Sequence, residues 1–87
     1  MITLELFIAG TAANSAKALA NIKRILSRIE AEVDLSVVDV LTDPVRAMDN
    51  SVLVTPMLVR KNPGPVQMLL GSLEDDVQVA TFIAVHS

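Results

Sequence analysis

The 87-residue chain contains no cysteine. That excludes a disulfide framework, thiolate zinc sites, and any dithiol or cysteine-nucleophile chemistry. Aromatic residues are nearly absent too: two phenylalanines, no tryptophan and no tyrosine. Although 52% of the residues are apolar, a core must therefore be built from Val, Leu, Ile, Ala and Met. Basic clusters are missing, the net charge is −3 and the pI about 4.8, which argues against nucleic acid as a partner. No apolar run approaches the roughly 20 residues of a membrane span. Glu5 stands where a secretory leader would be basic, so no membrane is expected as a partner and the cytoplasm is the expected location. The only histidine, His86, lies one residue from the end, where fraying disfavours a catalytic role. The length allows one small domain, residues 1–87, whose thin core invites a partner or self-association to complete its burial.

The remaining pattern is regular. Ile2, Leu4, Leu6 and Ile8 alternate with Thr3 and Glu5, the period of a strand whose polar face carries Glu5, and Gly10 ends it. Asn14 or Ser15 can cap a following helix, in which Leu19, Ile22, Ile25, Leu26 and Ile29 form an apolar stripe as far as about Ala31. Lys17, Lys23, Arg24 and Arg28 lie off that stripe, on a face open to solvent or to a partner. A second strand, Leu35–Val40, completes a strand, helix, strand order that predicts a parallel pair with a right-handed crossover. Asp43 and Pro44 then open a short helical turn through about Asn50, proline fitting at the first helical position.

The run Ser51–Val59 reads as an apolar strand broken by Pro56, and a proline inside a central strand removes a ladder hydrogen bond. One resolution is a turn into the strand, at which a cis bond before Pro56 can form although trans is the commoner state of such bonds. Asn62-Pro63-Gly64-Pro65 is the strongest turn signal and returns the chain as a hairpin strand over Val66–Leu70, closed by Gly71. Ser72, followed by Leu73, Glu74 and Asp75, predicts a capped final helix from about Leu73 to Val85. The same segment carries β-branched residues at Val77, Val79, Thr81, Ile83 and Val85, an alternation that also reads as a strand. Capping chemistry and side-chain propensity point to different structures there. A helix buried on two sides and a segment able to adopt either state both fit.

Little else can carry chemistry. Glu74, Asp75 and Asp76 are neighbours at one helix start and lack calcium-loop spacing, so capping is the better reading and no metal is expected. The loop Gly10-Thr11-Ala12-Ala13-Asn14 would sit at a helix N-terminus, where an anion binds, but lacks the lysine and glycines of a phosphate loop. No nucleophile, base or ligand set assembles. The chain reads as a non-catalytic protein-binding module without a cofactor, the alternative being a small anion-binding domain using the Gly10 loop.

Leu6–Gly10, Asn14-Ser15, Val38–Leu41, Pro44, Thr55-Pro56, Pro63–Val66 and Gly71–Leu73, in this order and spacing, resemble the KaiB family of circadian-clock proteins and the similar amino-terminal sensory domain of the clock kinase SasA. The Thr55-Pro56 pair is also similar to the start of the third strand in thioredoxin-like domains, whose redox loop would fall at Thr11–Asn14, here without cysteine. The resemblance implies an α/β, thioredoxin-like fold of order β-α-β-(α)-β-β-α with a mixed four-stranded sheet. The alternative is a tetrameric ground state whose carboxy-terminal half is folded differently. It implies binding to the first ATPase ring of KaiC, with KaiA or a histidine kinase as further partners, and polar contacts through Lys17, Asp49, Asn50 and Ser51. Pro56, Pro63, Gly64, Pro65, Gly71, Ser72 and Asp75 are the positions where the resemblance places the cis-proline and the exchange between folds. The chain departs from the family pattern at Ser51, Gln67 and Met68, where basic residues are usual, and at Ser72-Leu73-Glu74-Asp75. A divergent paralogue or a sensor domain in stress signalling is therefore a further reading.

Overall fold

The structure, a computed structural model, describes residues 1–84. Its elements are β1 (Ile2–Ile8), α1 (Ala13–Leu26), β2 (Val33–Asp39), α2 (Pro44–Asp49), β3 (Met57–Asn62), β4 (Gln67–Leu70) and α3 (Asp76–Ile83). The strands form one sheet in the order β2-β1-β3-β4. β1 runs parallel to β2 and antiparallel to β3, and β3 and β4 form the antiparallel hairpin. The mixed four-stranded sheet expected from the sequence is present, and residues 67–70 and 76–83 take the strand and helix states of the thioredoxin-like arrangement.

Because successive side chains of a strand point to opposite faces, each central strand divides its residues between two cores. Leu4, Leu6 and Leu58 meet Ala18, Ile22 and Ile25 of α1 and Val79 and Ile83 of α3. Phe7, Met57 and Val59 point the other way, onto Val38, Ala47 and Val52. One face is thus covered by two helices and the other by α2 alone. Six residues of helix are about 9 Å long, whereas four strands span roughly 14 Å. β4 is left bare on the α2 side: Met68 and Leu70, paired with Val59 and Met57, are 42% and 58% exposed.

Several boundaries differ from the sequence reading. α1 begins after Ala12 with no side-chain cap; Ser15, expected as a cap together with Asn14, is buried and its hydroxyl accepts from the Ala9 N–H. α1 stops at Leu26 rather than near Ala31, because Arg28 and Ile29 donate to carbonyls only three residues back and tighten the last turn, while Ile29 still packs on the core. Asp43 caps α2 as expected, accepting from the Arg46 N–H, and Pro44 opens the helix. α3 starts at Asp76, not Leu73, and its cap is Asp75, which accepts from the Gln78 N–H, not Ser72. The alternating β-branched run resolves as a helix in which Val79 and Ile83, four apart, are buried and Val77 is 76% exposed. Val85 and His86 lie outside the described residues.

Candidate protein-binding surface

The polar residues singled out by the sequence fall on both sides of the sheet. Lys17 sits on α1, exposed, with Nζ 3.9 Å from Glu74 Oε1. Asp49 ends α2, Asn50 caps it by donating from Nδ2 to the Arg46 carbonyl, and Ser51 follows with a φ of 58°. Asp49, Asn50 and Ser51 form one polar corner at the end of α2. Lys17 stands apart from them, across the sheet.

The α2 side holds a group that the sequence reading placed on the polar face of β1. Glu5 is only 4% exposed, because β1 is flanked by strands on both edges and covered on both faces. Its Oε1 lies 2.7 Å from Lys61 Nζ of β3, and its Oε2 accepts from the Arg46 guanidinium of α2. Burial acts most strongly on the carboxyl and raises its pKa, but the hydrogen bonds and charges of Lys61 and Arg46 together outweigh it, so the group is held below the ordinary glutamate range. Two cations thus serve one buried carboxylate, so these three side chains together carry one net positive charge. The one local hint was the apolar stretch Leu6–Ala9, in which the alternation of a one-sided strand is lost.

The opposite side is closed by α3, and its attachment uses polar contacts at each end. Arg24 of α1 donates to both carboxylate oxygens of Asp76, at 2.6 and 2.9 Å, and Arg28 Nη1 lies 3.9 Å away from the same group. The Arg24 hydrogen bonds hold Asp76 below the usual carboxylate range and raise Arg24 in turn. Asn21 Nδ2 donates to the Ser72 carbonyl at 2.8 Å. At the far end, Arg60 of β3 donates to the Phe82 carbonyl and lies 5.4 Å from the Phe82 ring centroid, a cation over a helix C-terminus and an aromatic face.

Between β4 and α3 the backbone is unusual. Gly71 has φ 120°, a value that favours glycine, and Leu73, 5% exposed, takes a left-handed φ of 62°. Pro56 is buried at the entry to β3 with the cis bond expected before it, and the hairpin residues Pro63, Gly64 and Pro65 include two further cis bonds, at Asn62–Pro63 and Gly64–Pro65. These positions and Ser72 and Asp75 all border β3, β4 or α3, the half of the chain that the resemblance associates with exchange.

Among the described residues there is no cluster of acids and histidines suited to a metal and no enclosed ligand pocket. The Gly10 loop has its first donor committed: the Gly10 N–H gives to Asp39 Oδ1 at 3.1 Å, and the Leu41 N–H gives to the same oxygen at 2.9 Å. A carboxylate beside the loop opposes an anion there. No helix among the described residues is long and apolar enough to cross a membrane. What the surface offers a partner is polar corners, apolar side chains and sheet edges.

Comparison with known proteins fits this geometry. The circadian clock protein KaiB3 of Synechocystis sp. is 34% identical over 79 residues, covering 90% of this chain and 78% of the relative. The circadian clock oscillator protein KaiB of Synechococcus elongatus is 38% identical over 77 residues, covering 87% and 76%. Among solved structures, the N-terminal domain of Synechococcus elongatus SasA superposes with a TM-score of 0.76 at 31% identity, over 93% of this chain and 77% of that one. Mitochondrial thioredoxin 3 of Saccharomyces cerevisiae superposes at 0.79 with 16% identity, over 94% and 76%, a likeness of fold alone. The family described as the KaiB domain matches residues 5–84. The family match spans nearly all the described residues and the two clock relatives are 34% and 38% identical over most of their length, so the chain belongs to the KaiB family.

Proposed function

We propose that this chain is a non-catalytic clock regulator that binds the first ATPase ring of a KaiC-like partner in its thioredoxin-like, mainly monomeric form. The observation that supports this most is the state of residues 76–83: a helix docked through Val79, Ile83 and the Arg24–Asp76 pair, built from a sequence that also suits a strand. In this reading the same segment leaves the sheet face to join a tetrameric ground state, and the helix-docked form is the binding form. Lys17 on one side and Asp49, Asn50 and Ser51 on the other are the proposed polar contacts. KaiA and a clock histidine kinase are further candidate partners of the same class.

Pull-down with a KaiC-like ATPase, with and without nucleotide, tests the reading. Retention that depends on nucleotide supports it, and no retention in either state overturns it. Charge reversal at Lys17 together with Asp49 should weaken the complex without unfolding the chain; unchanged affinity would remove those residues from the contact. Sedimentation at several concentrations tests the conformer, since a stable tetramer at micromolar protein would contradict a mainly monomeric state.

A further inference from the structure

The sheet has two free edges, and they are guarded differently. β2 carries Asp34 and Asp39, whereas β4, Gln67-Met68-Leu69-Leu70, carries no charge and no proline. Charges on an edge strand are a common means of preventing further strands from adding to it, and β4 lacks them. The Gly71 N–H donates to the Pro56 carbonyl at 3.1 Å, and Leu69 and Gln67 follow at the same phase of the antiparallel register opposite Leu58 and Arg60. The intervening residues Met68 and Leu70 therefore turn their backbone N–H and C=O groups away from β3, toward solvent. Their side chains are also exposed, on the α2 side, and continue outward the row begun by buried Val59 and Met57. Hydrogen-bonding edge and apolar strip thus coincide on the same two residues. At the Gln67 end the row meets Lys61, one of the two cations that share the single carboxylate of Glu5.

We propose that β4 is a strand-addition site for an extended segment of a partner protein, with apolar side chains at alternate positions and a carboxylate at the end nearest Lys61. The main-chain groups of Met68 and Leu70 pair with the incoming strand, its alternate side chains cover Met68 and Leu70, and its carboxylate meets the part-exposed Lys61 ammonium, which shares the one carboxylate of Glu5 with Arg46. The proposal is independent of the clock reading, because it concerns an edge and a peptide chemistry rather than a particular partner.

The test uses a blocked seven-residue peptide alternating threonine and valine with a glutamate at one end, titrated into the 15N-labelled chain. The expected result is saturable protection of the Met68 and Leu70 amides from hydrogen exchange, with no change at β2. A Met68→Pro variant removes one outward donor without touching the β3 ladder. It should bind about tenfold more weakly while keeping Leu69 and Gly71 protected. Met68→Lys, which places a charge on the edge, should weaken binding similarly and serves where the proline variant does not fold. Exchanging the peptide's glutamate for glutamine should weaken binding and flatten its salt dependence. The proposal is overturned by protection at β2 instead of β4, by unchanged binding of the folded variants, or by no protection at millimolar peptide. It is also overturned by concentration-dependent protection of β4 without peptide, which would make a second copy of the chain the occupant.

Discussion

The two faces of the sheet are closed by opposite means. On one, α1 and α3 bury aliphatic side chains against Leu4, Leu6 and Leu58, while Arg24 pairs with Asp76 at the rim and Arg60 reaches the Phe82 carbonyl at the end of α3. On the other, a six-residue helix leaves a carboxylate inside, held by Arg46 and Lys61, and leaves Val45, Met48, Met68 and Leu70 outside. Helix length accounts for much of the contrast: where cover is long, the carboxylates stay at its rim, and where it is short, a buried ion group helps tie the cover down. The first face therefore resembles a finished core, and the second a core left partly open.

The sharpest way to break that comparison is to remove equivalent groups from neighbouring positions. Leu6 and Phe7 are both fully buried and point to opposite faces. Leu6→Ala should cost about 4 kcal/mol of unfolding free energy, and Phe7→Ala no more than about 3 kcal/mol despite its larger side chain, because the short α2 can settle into the space. Urea denaturation measures both; a larger loss at Phe7 would show that the α2 side is the tighter one.

Next in size is the buried carboxylate. Glu5→Gln should cost on the order of 2 kcal/mol, less than a fully buried pair because Arg46 and Lys61 retain access to water. Its pH dependence has a defined sign. The folded state holds Glu5 below its ordinary value, so the stabilisation is present at pH above about 4.3 and fades as the pH falls through the lower folded value. Urea midpoints of the two proteins should differ at neutral pH and converge in acid; a constant difference would refute the electrostatic account.

Two smaller effects sharpen the picture of α3. Asp75→Ala should lower stability by about 1 kcal/mol through loss of the cap, whereas Ser72→Ala should leave the thermal midpoint nearly unchanged, since Asp75 and not Ser72 receives the Gln78 N–H. Arg24→Ala should change global stability least and show itself locally, as faster amide exchange within Asp76–Ile83 relative to β1. Equal acceleration in both elements would mean that α3 opens only with the whole molecule.

How much of this was legible depended on the range of the interaction. Alternation in β1, the Asp43-Pro44 start of α2 and the Pro63-Gly64-Pro65 hairpin are local signals, and the structure contains all three elements. The proline-broken run was legible too, because Pro56 demanded a turn before Met57 could enter the sheet. Glu5 was misplaced because its partners lie 41 and 56 positions away on α2 and β3, and the short apolar stretch Leu6–Ala9 is the one nearby hint that β1 is central. Ser15 was taken for a cap because serine at a helix start usually is one, but here Ala9 uses its hydroxyl. The polar corner at Asp49, Asn50 and Ser51 follows from the chain order, whereas its separation from Lys17 needed the sheet between them.

Leu73 has a consequence for how firmly the carboxy-terminal segment is seated. Burying a leucine contributes about 2 kcal/mol, and holding a non-glycine residue in the left-handed region costs about 1–2 kcal/mol, so this side chain works as a latch whose grip is partly offset by strain. Leu73→Gly would relieve the backbone strain but lose the buried side chain and leave a cavity, so the chain should still be destabilised, by about 2 kcal/mol. Strain and burial thus meet at one residue just ahead of Asp75, so the seating of α3 responds to the backbone between Gly71 and Asp75 as well as to the core beneath it.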